Sequence, residues 1–125
     1  NVVTSTPTSG ATFTVDNTAP TLVITMSDVE MDSGKDTAPY NSTITFTFSE
    51  TPSNFAAADI TTPNGSIGST LAVNGGDNAL YTATFTPTSG GYDTTNVVTV
   101  GQAWTDLAGN APAANSVSIN YSIDI

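Results

Sequence analysis

Thr43-Ile44-Thr45-Phe46-Thr47-Phe48 alternates without interruption between a hydroxyl and an apolar side chain. Successive side chains on a strand point to opposite faces, so Ile44, Phe46 and Phe48 read as the inward face of a half-buried β-strand and the threonines as its wet face. Tyr81-Thr82-Ala83-Thr84-Phe85-Thr86 repeats the theme, and Leu22-Val23-Ile24-Thr25-Met26 reads as a third strand, entered through Pro20. Outward from these, residues 59–62, 66–73, 96–104 and 116–123 read as further strands. Val97 or Val98, Val100 and Trp104 are core candidates. Pro63-Asn64-Gly65, Asn74-Gly75-Gly76-Asp77-Asn78, residues 87–95 and Thr105-Asp106-Leu107-Ala108-Gly109-Asn110 supply the turns, and residues 50–58 a connection with one helical turn. About seven strands, evenly punctuated and without a sustained helical pattern, predict an all-β, antiparallel immunoglobulin-like β-sandwich over residues 21–125.

Composition narrows the function. Eleven Asp and Glu face one cation, Lys35, with no histidine, for a formal net charge of −10. Almost nothing is present to neutralise phosphate, which excludes nucleic acid and argues equally against an anionic membrane surface. Only 10% of the residues are charged and 38% are hydrophobic, so a folded β-domain fits better than disorder. There is no cysteine, which removes disulfides and thiolate metal sites and leaves sheet packing to hold the chain together. No apolar run of membrane-spanning length occurs, so membrane insertion is not expected, and a secretory address would lie outside this stretch. With no histidine or cysteine, no Gly-x-Ser-x-Gly elbow and no phosphate loop, catalysis is not expected either.

Asp16-Asn17-Thr18-Ala19-Pro20 reads as a linker between modules. Phe13-Thr14-Val15-Asp16 before it and Tyr121-Ser122-Ile123-Asp124 at the other end share one order: aromatic, hydroxyl, β-branched, aspartate. The spacing suits a tandem array, with residues 1–15 as the last strand of a preceding repeat. Two alternatives stand beside this: an additional first strand of the same domain, or a strand donated to a neighbouring copy in a filament.

An up-and-down succession of strands gathers the acidic loops at two poles. The connections holding residues 50–59, Asp77 and residues 106–110 fall near Asp16, and those holding Asp28, Glu30, Asp32, Asp36 and Asp93 fall beside Asp124. Crowded carboxylates repel. A hard divalent cation with oxygen ligands relieves them, and calcium suits an extracellular setting. The expected metal sites are therefore the joint at Asp16 and the acidic loop of Asp28, Glu30, Asp32 and Asp36 with Asp124. For each the plain alternative is a solvated loop or a tight turn, with Asp106 capping backbone donors and Gly109 or Asn110 left-handed.

Several runs, taken in order, resemble the bacterial Ig-like repeats of giant biofilm-associated and host-cell surface adhesins, including RTX-type adhesins. They are Val15-Asp16-Asn17-Thr18-Ala19-Pro20-Thr21-Leu22, Ile44-Thr45-Phe46-Thr47-Phe48-Ser49-Glu50, Phe55-Ala56-Ala57-Ala58-Asp59-Ile60, Tyr81-Thr82-Ala83-Thr84-Phe85-Thr86-Pro87 and Thr105-Asp106-Leu107-Ala108-Gly109-Asn110. The resemblance implies a surface-anchored, secreted stalk of many sandwiches joined end to end, with calcium at the joints. Carried over by position, the joint ligands would be Asp16, Asp106 and Asp59. The acidic insertion at residues 28–40 departs from the usual short connection.

Overall fold

The computed structural model describes residues 13–125; the predicted strand at residues 1–15 falls largely outside them. The strands are β1 (Leu22–Met26), β2 (Glu30–Asp32), β3 (Ser42–Phe48), β4 (Pro52–Ser53), β5 (Ile60–Thr61), β6 (Gly65–Ile67), β7 (Ala72–Asn74), β8 (Asp77–Pro87), β9 (Tyr92–Asn96), β10 (Thr99–Val100), β11 (Thr105–Asp106), β12 (Ser116–Val117) and β13 (Tyr121–Asp124). A 3-10 turn at Ala57–Asp59 is the helical turn expected between residues 50 and 58.

The alternating segments build one antiparallel sheet in the order β1-β3-β8-β6, with β7 also paired to β8. Phe46 faces Ile24 on one side and Tyr81 on the other, and Thr45 lies between Thr25 and Thr82. Ile44, Phe46 and Phe48 are buried while Thr43 and Thr47 stay exposed, as the period of two requires. The opposite layer is assembled from shorter pieces, β2-β13-β9, β12-β10-β5 and β11-β4. Aromatic rings fill the space between the layers: Trp104 meets Phe48 edge-on at 4.8 Å and 83°, Phe55 packs on Phe48 and Tyr81, and Phe85 meets Tyr121. Val98 is the inward member of its pair, at 0% exposure against 36% for Val97.

Three readings of the sequence are corrected. The order is not an up-and-down succession, because after β1 the chain crosses to the other layer, where β2 runs parallel to β13. The acidic stretch of residues 28–36, expected to be a loop, therefore contains a strand whose centre, Met31, is 1% exposed. Secondly, the predicted strand 66–73 is broken into β6 and β7, and the strand expected at 96–104 is divided into β9, which starts earlier at Tyr92, and β10, which ends at Val100. Thirdly, the final strand is interrupted between β12 and β13, where side chains continue the ladder. Ser118 Oγ accepts the Val98 N–H at 2.9 Å. Asn120 Oδ1 accepts the Asn96 N–H at 2.9 Å, and its Nδ2 donates to Thr94 O at 3.0 Å.

Register defines the two ends. Leu22 opposite Phe48, and Thr47 opposite Leu80, set the start of β1, the end of β3 and the start of β8 at one pole, where the linker arrives. Met26 opposite Ile44, Ser42 opposite Phe85, and Asp124 beside Asp32 mark the other.

Candidate metal centre

At the N-terminal pole the chain has to satisfy backbone groups that the short strands leave open. Thr21 N–H donates to Ser49 Oγ and Ser49 N–H to Thr21 O, both at 2.9 Å, which sets Glu50 beside the start of β1. Two residues on, β4 pairs with β11, with Pro52 opposite Asp106. That short ladder brings the loop after β3 against the turn after β11.

The turn is built on Asp106. Its Oδ1 accepts the Asn110 N–H and its Oδ2 the Asn110 Nδ2–H, each at 2.8 Å. Its own N–H donates to Asn110 O at 3.0 Å and Gly109 takes φ +96°, a conformation glycine adopts without steric cost. The same Asn110 Nδ2 donates to Asp16 O at 3.0 Å, fastening the entering segment to the body of the domain. Asp16 in turn accepts the Thr18 N–H on Oδ1 at 2.9 Å.

Asp16, Glu50 and Asp106 thus each bring one carboxylate oxygen into a group lying within 4.8 Å of one another. Asp106 is 1% exposed; Asp16 and Glu50 are half-buried. Burial pushes the Asp106 carboxyl upward, but hydrogen bonds from the Asn110 side chain and from the Asn110, Gly109 and Ala108 N–H groups outweigh it and leave it below the ordinary value. Glu50 has no such support: burial, then the charges of Asp106 and Asp16, raise it. Glu50 therefore resists ionising, first because it is taken out of water and then because of the charges of Asp106 and Asp16.

The remaining candidates are placed elsewhere. Asp59 closes the 3-10 turn, its Oδ2 accepting the Ala56 N–H at 2.9 Å. Across the molecule, Asp28 Oδ1 accepts the Glu30 N–H, Asp32 Oδ1 the Gly34 N–H, and Asp36 Oδ2 the Asp32 N–H. Lys35 Nζ stands 3.5 Å from Glu30 Oε2 and 3.7 Å from Asp32 Oδ2, and these two carboxylates, Glu30 first, raise its pKa. Asp124 ends β13, its carbonyl accepting the Ser33 N–H at 2.9 Å. Among the described residues, the N-terminal pole is where three carboxylates converge. The sequence placed Glu50 at the same pole as Asp16 without naming it as a ligand. The available signal was its position two residues after β3, at the end where residues 16–20 enter.

Fold and pole together define a class: an immunoglobulin-like β-sandwich with a carboxylate cluster where residues 16–20 enter it. The chain belongs to the bacterial Ig-like domain family, whose sequence profile matches residues 16–123. No curated protein and no solved structure gives a significant match.

Proposed function

We propose that this chain is a structural, non-catalytic stalk module of a tandem-repeat bacterial surface adhesin, held outside the cell and joined end to end with similar modules, with calcium at the N-terminal pole stiffening the joint. One observation carries the reading: Asp16, which belongs to the linker, meets Glu50 and Asp106, which belong to the body of the domain. An ion held by all three ties the direction of the linker to the sandwich.

The donor set fits calcium. All three groups are hard oxygen donors, and a calcium ion at roughly 2.3–2.6 Å from each permits oxygen separations up to about 5 Å, in keeping with the 4.8 Å limit of the group. Lys35, the one cation in the chain, is committed to Glu30 and Asp32. When bound, the ion supplies positive charge and coordination; Asp16, Glu50 and Asp106 hold it, and Asn110 holds Asp106 and the linker in place. In the rival arrangement, a filament in which residues 1–15 complete the sheet of a neighbouring copy, the added strand has to go to an edge, since β13 of each copy lies between β2 and β9.

The test is a thermal melt with calcium and with chelator. Calcium at a hundredfold excess over its dissociation constant stabilises by about 2.7 kcal/mol, a rise in midpoint of roughly 10 °C for a domain of this size. Glu50→Gln is the informative substitution because Glu50 makes no turn. It abolishes the rise while leaving the fold intact, and an equal calcium response in both chains sinks the reading.

A further inference from the structure

Residues 13–16 and β13 carry the same pattern in two different settings. Within β13 that pattern is satisfied: the strand is the middle member of β2-β13-β9, Tyr121 is 0% and Ile123 1% exposed, and both belong to the core. In residues 13–16 it is not. Phe13 is 59% and Val15 41% exposed, and none of the four residues is paired in a strand. An aromatic and a β-branched residue spaced two apart, with hydroxyls between, are suited to a strand with one buried face, and here that face is bare. The period agrees. The family match begins at Asp16 and ends at Ile123, one residue before Asp124, so the interval between the two aspartates equals one family unit.

We infer that residues 13–16 are the last strand of a preceding Ig-like unit, set between that unit's counterparts of β2 and β9. The partner this segment fits is therefore an Ig-like unit whose own chain runs directly into Phe13. The inference rests on the end-to-end arrangement proposed above. It adds how the units interlock: the aspartate that ends the central strand of one unit is a member of the carboxylate cluster of the next. By the same register, Asp124 stands toward a following unit as Asp16 stands toward this one. Because β13 is paired on both sides, a pull along the linker loads two ladders at once rather than a frayed edge.

A two-unit chain decides it: residues 17–120 followed directly by residues 13–125, so that Phe13 takes the place of Tyr121 in the first unit. Its calorimetric unfolding enthalpy is expected to be about twice that of the single chain. Phe13→Ser with Val15→Ser reduces it to about that of one unit, while the same pair in the single chain, where both side chains are exposed, leaves the midpoint within about 2 °C. An enthalpy of only one unit with Phe13 and Val15 intact overturns the inference, and so does a double substitution without effect in the two-unit chain. Repeating the melt of the single chain with calcium separates the two ideas, since the metal can fail there while the strand assignment stands.

Discussion

At the scale of single residues, the cluster divides labour between two carboxylates of opposite tendency. Asp106 lies below its ordinary value of 3.8, so it contributes stability that is present above that value and is lost as pH falls through its lowered folded value. Glu50 lies above its ordinary value of 4.5. Its ionisation weakens the fold, and acidification through its raised folded value relieves that. In chelator, the melting midpoint minus that of Glu50→Gln is therefore negative near pH 7 and closes as the pH drops below Glu50's raised value. With calcium the difference reverses sign at pH 7, and melts across pH 3–7 in both buffers check both statements. Tyr121 offers a second test at the alkaline end. Its hydroxyl donates to Pro63 O; burial, then the charge of Asp93, pushes its pKa up to about 12. A raised phenol favours the fold below its unfolded value near 10 and loses that contribution as pH rises through about 12. Tyr121→Phe costs about 1 kcal/mol at neutral pH, the net worth of one hydrogen bond, and flattens the fall in stability between pH 10 and 12 that denaturant titration records for the parent.

At the scale of elements, the close approach of β6 to β8 depends on one residue without a side chain. A Cβ on Gly65 would sit 2.2 Å from Phe85 Cζ and 2.7 Å from Thr86 O, and Phe85 is fully buried. Gly65→Ala is expected to cost about 1–3 kcal/mol through overpacking, seen as a lower urea midpoint with unchanged slope. Gly75→Ala, with nothing within 4 Å, leaves the midpoint in place. The contrast between these glycines was not visible in the sequence, where both follow an asparagine in a turn. Long alternations such as residues 43–48 were legible because period two over six residues has one reading. β2 was not: three residues are too few for a period, and its parallel pairing with β13 is made across most of the chain. Nor were the ladder breaks, since Ser118 and Asn120 supply by side chain what the backbone withholds. In the cluster, the turn on Asp106 was legible in its own residues, Asp106 to Asn110, whereas the nearness of Asp16 was expected from an up-and-down order that the chain does not follow. Glu50 needed the β4–β11 ladder, whose two residue pairs leave no pattern to read.

At the scale of the whole molecule, the two poles handle the same excess of charge differently. At the C-terminal pole, Asp28, Asp32 and Asp36 accept backbone N–H groups and Lys35 stands over Glu30 and Asp32, so local donors offset much of the repulsion. At the N-terminal pole the donors go to Asp106 and Asp16 while Glu50 is left facing two charges. General screening and specific binding are therefore separable. About 1 M sodium chloride, with a Debye length near 3 Å, raises the chelator midpoint of the parent more than that of Glu50→Gln, and millimolar calcium adds to it only in the parent. If the ion also sets the angle of the linker, the effect extends beyond stability. Without it, Asp16 is held to the body by its backbone, through the Asn110 bond to Asp16 O. With it, Asp16 is held by its backbone and its carboxylate, two points that fix a direction. Small-angle scattering of the two-unit chain is then expected to give a longer maximum dimension in calcium than in chelator, and Glu50→Gln in the second unit removes the difference. Equal dimensions in the two buffers, alongside a calcium-dependent rise in melting midpoint, would mean that the site stabilises the fold without stiffening the joint.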